Sequence, residues 1–288
     1  MTKKEKIKSL TKDGIFHIFA IDHRDVFTKA MEEKSKSTAK EDVLEEKIRL
    51  IQAVKDMTSA VLIDTFYFFD DSKLDQHLEM EKAVVGIERF DYNMTKIASG
   101  ADYLTTDISI KELGENGCNM VKLFVLYNPE TSLADKMDKV IEYVQDECEK
   151  FDIPFLLEPI LHEYEQKDQL RLTKAMLTRL KKFNVDIYKI LFPGNIKENS
   201  YEENLEICKE IDEILDTPWI LLSSGVPFDE FKEQLEIAGK AGACGYAVGR
   251  SVWGKYICEE DLEGMKLRYK DVKNVADKYC NKWGDKNK

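Results

Sequence analysis

The chain has 288 residues, 43% of them hydrophobic and 34% charged, with a formal net charge of -12. That balance suits a globular protein with a large core, and the negative charge argues against a surface for nucleic acid or anionic membrane, both of which it would repel. No apolar run approaches the roughly 18 residues that a membrane span needs, and MTKKEKIKSL at the start is not followed by the apolar segment of a signal peptide, so the protein is read as cytoplasmic.

In chain order, the first predicted strand is FHIFAI from Phe16, running into Asp22, His23 and Arg24. The charged stretch RDVFTKAMEEKSKSTAKED is longer than a barrel connection needs and is predicted to be a solvated loop, the other reading being a mobile flap over one end. Near its end, Thr38 and Glu41 have the spacing of a helix capping box. AVLID from Ala60 and AVVGIE from Ala83 are the next strands, followed by MVKLFVLY from Met120 with Lys122 inside it, and PFLLEP from Pro154, which reaches Glu158. LTKAMLTRLKKF brings Leu172, Ala175, Met176, Arg179, Leu180 and Phe183 back every three or four residues, the pattern of an amphipathic helix. VDIYKI from Val185 reaches Lys189, WILLSS from Trp219 ends on Ser223 and Ser224, and CGYAVG from Cys244 ends on Gly249, just before Arg250.

Strands alternating with helices over this length predict an α/β fold, a (β/α)8 TIM barrel, with an open doubly wound sheet as the alternative. No repeat, low-complexity tract or linker divides residues 1–288, which are read as a single barrel domain. The six cysteines (Cys118, Cys148, Cys208, Cys244, Cys258, Cys280) show no CxxC pair and are read as reduced thiols.

In such a barrel the chemistry sits where the strands end, which draws attention to Asp22, Glu158 and Lys189, with Lys122 deeper in its strand. Apolar surroundings and a second buried lysine such as Lys122 would both disfavour the charged form of Lys189, leaving an amine able to condense with a ketone. The competing reading is a buried ion pair of Lys189 with Glu158 or Asp22. Glu158 is read as a proton-transfer group or as an ion-pair partner. LLSSGVP and AVGRSVW follow the last two strands, where barrels commonly bind phosphate. Gly225 and Gly249 allow close approach of an anion, and Arg250 offers a charged fork. His23, His77 and His162 each follow a strand, but without a short ligand-spacing motif, so no metal is expected.

VDIYK, FLLEPI, MVKLFVLY and, most specifically, WILLSSGVPFDEFKEQLEIAGKAGACGYAVGRSVW resemble the class I aldolases that include tagatose 1,6-diphosphate aldolase and the sulfofructosephosphate aldolases. The resemblance runs from the first strand to the eighth. It implies a (β/α)8 barrel that cleaves a ketose phosphate to dihydroxyacetone phosphate and a three-carbon aldehyde through a lysine iminium, with no metal or other cofactor. On the matching motifs it implies Lys189 as the Schiff-base lysine, Glu158 as acid/base and Lys122 as the second lysine of the site. AIDHR resembles the family's first-strand motif and places Asp22 at the site, with His23 where that motif carries glutamine. His23, Ser223, Ser224, Gly225, Gly249 and Arg250 are then expected to bind substrate and its phosphate. A sulfonate is also a tetrahedral anion, so a sulfosugar phosphate stays open as substrate, and a sugar-phosphate sensor without turnover is the reading from another class. The expected partner is a small sugar phosphate, with homo-oligomerisation left open.

Overall fold

The computed structural model describes residues 1–69, 78–89, 103–104 and 108–285. The eight apolar runs become strands: β1 Phe16–Ala20, β2 Ala60–Asp64, β3 Ala83–Gly86, β4 Met120–Tyr127, β5 Phe155–Leu161, β6 Ile187–Ile190, β7 Trp219–Leu222 and β8 Gly245–Val248. Each pairs in parallel with its chain neighbours, and β1 closes on β8 through Phe16 to Phe19 against Gly245 to Val248. Closure excludes the open-sheet alternative and leaves no free strand edge. Helices lie between the strands, among them Lys40–Val54, Ser132–Lys150, Gln169–Leu180, Tyr201–Ile214 and Phe228–Ala241, with Glu263–Tyr279 after the last. Among the described residues, no helix is long and apolar enough to cross a membrane.

The period of two along each strand sorts the side chains into two cores. Phe16, Ile18, Ala20, Ala60, Leu62, Val84, Met120, Leu156, Ile187, Ile220 and Ala247 fill the barrel, joined by Ile7 and Leu10 of the first helix and by Trp283. The alternate residues, such as Phe19, Val61, Val85, Val121, Leu157, Tyr188 and Leu221, pack outward against the helices. Continuing the inward parity by one step reaches Asp22, Asp64, Lys122, Glu158 and Lys189, and a second step on β3, past Gly86, reaches Glu88; all six are buried. Most of the polar residues therefore continue the stack that fills the barrel, at the C-terminal ends of its strands.

Two local expectations are corrected. The stretch after β1 begins with a helix, Asp25–Glu32, because Phe27 and Met31, four residues apart, bury one face. Phe27 packs on Trp253 with ring centroids 5.1 Å apart. The capping box at Thr38 does not form: the helix Lys40–Val54 has Ala39 at its N-cap. The Ala39 N–H is taken up by Ser37 Oγ at 3.3 Å, and Glu41 becomes the second helical residue, where a box needs the third. Ser200 and Glu203 do form one, before Tyr201–Ile214. The helix Gln169–Leu180 buries Leu172, Met176, Leu177 and Leu180, with Ala175 turned to solvent in place of Leu177.

Candidate active site

The C-terminal ends of the strands open into a cavity of ≈ 500 Å³, and Asp22, His23, Lys122, Glu158, Lys189, Ser223, Ser224, Gly225, Gly249 and Arg250 all line it. The register explains how widely spaced residues meet. Lys122 pairs with Gly86 on one side and Leu156 on the other, Phe124 pairs with Glu158, and Lys189 pairs with Ile220. Successive inward positions on adjacent strands thus step around one wall of the cavity.

At its centre is a cluster of three carboxylates and two amines. Lys122 Nζ lies 2.6 Å from Glu88 Oε1, 2.9 Å from Asp22 Oδ2 and 3.3 Å from Glu158 Oε2. Lys189 Nζ lies 2.8 Å from the same Glu158 Oε2. That contact is an ion pair by distance, but its angles fall outside hydrogen-bond geometry, and Glu158 Oε2 is buried without an aligned donor. The ion-pair reading of Lys189 is therefore present in the structure, in a form that leaves the amine beside a proton acceptor and facing a cavity.

Burial in the barrel disfavours every charge in the cluster, and the partners outweigh it. Asp22 is held well below the usual carboxylate range against the effect of burial, by Lys122 first and then by His23 and Lys189. For Glu158, burial is outweighed by Lys189 and then Lys122, and its pKa is lowered. For Lys122, burial opposes the ammonium, but Asp22, Glu88 and Glu158 together raise its pKa well above that of a free lysine. The like-charge repulsion expected between the two lysines is thus offset at its source by three carboxylates around Lys122. His23 is pushed down to about 4 by burial, against the opposing pull of Asp22, whose Oδ1 is 3.6 Å from Nδ1. It is neutral at pH 7 and stands edge-on to Trp253.

The turns after β7 and β8 are locked together beside this cluster. Gly249 N–H points at Ser223 Oγ at 3.4 Å, Ser251 Oγ donates to Val226 O at 2.7 Å, and Arg250 Nη2 donates to Ser224 O at 3.1 Å. Ser224 and Gly225 take φ of 50° and 77° in succession, a backbone that disfavours side chains. A Cβ on Gly225 would lie 3.0 Å from Arg250 Cζ, and one on Gly249 would lie 2.8 Å from Ala20 O. Close approach of Arg250 to Gly225 and of Ala20 to Gly249 leaves little room for a side chain at either position.

Among the described residues, no three His, Cys, Asp or Glu side chains gather as a metal site. His162 sits 3.5 Å from Glu163 outside the cavity lining, and His77 lies outside the described residues. The residue that sequence reasoning missed is Glu88. It ends the quoted strand AVVGIE two positions after Gly86, and the strand-end rule applied to Asp22 and Glu158 would have selected it. Asp64, at the end of β2, was missed in the same way: it pairs with Lys47 at 2.6 Å and lies 3.5 Å from Arg24 Nε.

A closed eight-stranded parallel barrel with a buried lysine and carboxylate facing a cavity at its C-terminal end is an arrangement suited to the chemistry of a class I aldolase. Residues 16–255 match the model of the DeoC/LacD family of aldolases. The chain belongs to that family, and is a carbon–carbon lyase. It is 27% identical to a tagatose 1,6-diphosphate aldolase of Listeria innocua, over 87% of this chain and 81% of that protein. It is also 27% identical to one of Staphylococcus epidermidis, over 96% and 95%. Among solved structures, a Schiff-base-forming fructose-1,6-bisphosphate aldolase superposes with a TM-score of 0.65 at 16% identity, covering 96% of this chain and 99% of that one. An archaeal fructose-1,6-bisphosphate aldolase, solved with its catalytic lysine bound to the carbinolamine of the substrate, gives a TM-score of 0.65 at 16% identity, covering 94% and 99%.

Proposed function

We propose that this cavity cleaves a ketose phosphate, with tagatose 1,6-diphosphate as the first candidate, to dihydroxyacetone phosphate and a three-carbon aldehyde. The observation that carries the reading is Lys189 Nζ, buried at the end of β6 and 2.8 Å from Glu158 Oε2 at the cavity wall. The names of the curated relatives support the choice of sugar.

Lys189 passes a proton to Glu158 and attacks the ketone carbon as a neutral amine; Glu158 returns that proton to the carbinolamine hydroxyl, which leaves as water and gives the iminium, so that Glu158 is a carboxylate again. The bond between C3 and C4 of the sugar then breaks. Its electron pair moves into the iminium to form an enamine, while Glu158 takes the proton of the C4 hydroxyl and the aldehyde leaves. Protonation of the enamine carbon and hydrolysis release dihydroxyacetone phosphate and restore Lys189. Lys122, pinned as a cation, and Asp22 orient the hydroxyls between them. Neutral His23 offers a hydrogen bond and no charge. Ser223 to Gly225 with Gly249 and Arg250 receive a terminal phosphate.

The test is carbon–carbon cleavage measured with tagatose 1,6-diphosphate, fructose 1,6-diphosphate and sulfofructose phosphate side by side. Higher kcat/KM for tagatose 1,6-diphosphate than for sulfofructose phosphate supports the reading. The opposite order assigns the chain to a sulfosugar phosphate.

A further inference from the structure

Glu88 has a place in the cluster that the proposed steps do not use. It is 1% exposed, and both its oxygens are occupied from β4: Oε1 is 2.6 Å from Lys122 Nζ and Oε2 accepts from Phe124 N–H at 3.2 Å. The sequence makes room for this. The register partner of Lys122 on β3 is Gly86, and a Cβ there would stand 3.2 Å from Glu88 Oε1. A residue chosen only to fill the barrel would be apolar, as Val84 is one step below.

Lys122 has a choice of partners, because Glu158 Oε2 lies 3.3 Å from it and 2.8 Å from Lys189. If Lys122 moved onto Glu158, the carboxylate would lose its freedom to take a proton from Lys189. Glu88 and Asp22 hold Lys122 more closely, at 2.6 and 2.9 Å. We infer that Glu88 is a positioning residue for the aldol reaction: it anchors Lys122 and so reserves Glu158 for Lys189. The inference rests on the reading of Lys189 as the iminium-forming amine.

Among the described residues, the charged and titratable groups lining this cavity are Asp22, His23, Arg24, Asp25 and Lys29 after β1, Glu88 after β3, Lys122 on β4, Glu158 on β5, Lys189 on β6 and Arg250 after β8. Tyr103 is buried nearby: burial first and then Glu88 raise its pKa, with Lys122 opposing. Removing one negative charge from the group lowers the proton affinity of every remaining member, whichever way Lys122 moves. The change in pH dependence therefore has one sign.

The test compares Glu88→Gln, Glu88→Asp, Lys122→Met and the double variant E88Q/K122M with wild type. Trapping of dihydroxyacetone phosphate on Lys189 by borohydride is first checked in wild type. Failure there refutes the Schiff-base reading and, with it, the role assigned to Glu88; success there leaves the Glu88 variants to decide the inference on their own. For Glu88→Gln, kcat should fall about tenfold or more while KM changes about threefold or less, and the limbs of the kcat/KM profile should move to lower pH by about half a unit or more. Glu88→Asp, which keeps the charge, should restore the profile. The double variant should be no slower than Lys122→Met, because Glu88 acts through Lys122. An unshifted profile in Glu88→Gln, or additive losses in the double variant, overturns the inference. If Glu88→Gln does not fold, Glu88→Asp and the pair K122M and E88Q/K122M decide by the same criteria.

Discussion

Lys47 and Asp64 form an ion pair of 2.6 Å in which neither side chain is more than 1% exposed. Asp64 also accepts from Tyr67 N–H at 2.8 Å and lies 3.5 Å from Arg24 Nε, on the cavity rim. The pair ties the helix Lys40–Val54 to the end of β2. Burial lowers the pKa of Lys47, and Asp64 is the main force holding its proton. Lys47→Met should cost about 3 to 5 kcal/mol, because it strands a buried carboxylate. K47M/D64N, which removes both charges but keeps an acceptor for Tyr67, should lose less. Urea unfolding of the two variants measures the difference. Equal losses would show that packing, not the stranded charge, sets the cost.

His17 is fully buried behind β1, beside Tyr246 and 3.2 Å from Asp277 Oδ1. Burial pushes its pKa down to about 4, with Asp277 opposing. Unfolded histidine titrates near 6.5, so the unfolded chain binds the additional proton between about pH 6.5 and 4. Stability from this group is complete above that window and falls as the pH drops through it. Unfolding free energy measured across the window should decline less steeply in His17→Gln than in wild type. Parallel slopes would place the proton uptake elsewhere.

Glu158→Gln preserves shape and removes proton exchange, so turnover should fall about 100-fold or more while the protein stays folded and binds ligand. Single-turnover kinetics and a binding isotherm measure the two effects. Turnover at the wild-type rate would reduce Glu158 to an ion-pair partner.

Arg250→Ala removes the charged fork over Gly225 and leaves the turn amides. Affinity for phosphorylated ketoses should weaken by about 1.5 to 3 kcal/mol, with little change for unsubstituted dihydroxyacetone. Steady-state KM values for both kinds of ligand are the measurement. Unchanged kinetics for every anionic substrate would move the phosphate to Arg24 or Lys122.

The barrel was legible because its strands are short apolar runs at regular intervals, and β1 through β8 fall where those runs are. The ten residues expected at the site share one cavity because parity and strand ends are properties of sequence. Asp64 and Glu88 escaped because a carboxylate closing an apolar run also reads as the start of a loop. The ion pairs that bury them join strands and helices 17 and 34 residues apart. The helix Asp25–Glu32 was hidden by the charged residues around Phe27 and Met31, whose spacing alone signalled a buried face. The capping box failed on a one-residue shift at Ser37, and no pattern in the sequence fixes which hydroxyl takes the first free N–H.

Lys189, not Lys122, is the amine proposed to form the iminium, since three carboxylates surround Lys122 and raise its pKa. The most direct measurement is borohydride reduction in the presence of dihydroxyacetone phosphate, followed by mass mapping of peptides. The expected result is a single reduced adduct on the peptide carrying Lys189, loss of activity in proportion to labelling, and no adduct in Lys189→Ala. An adduct on Lys122, or full activity in Lys189→Ala, would contradict it.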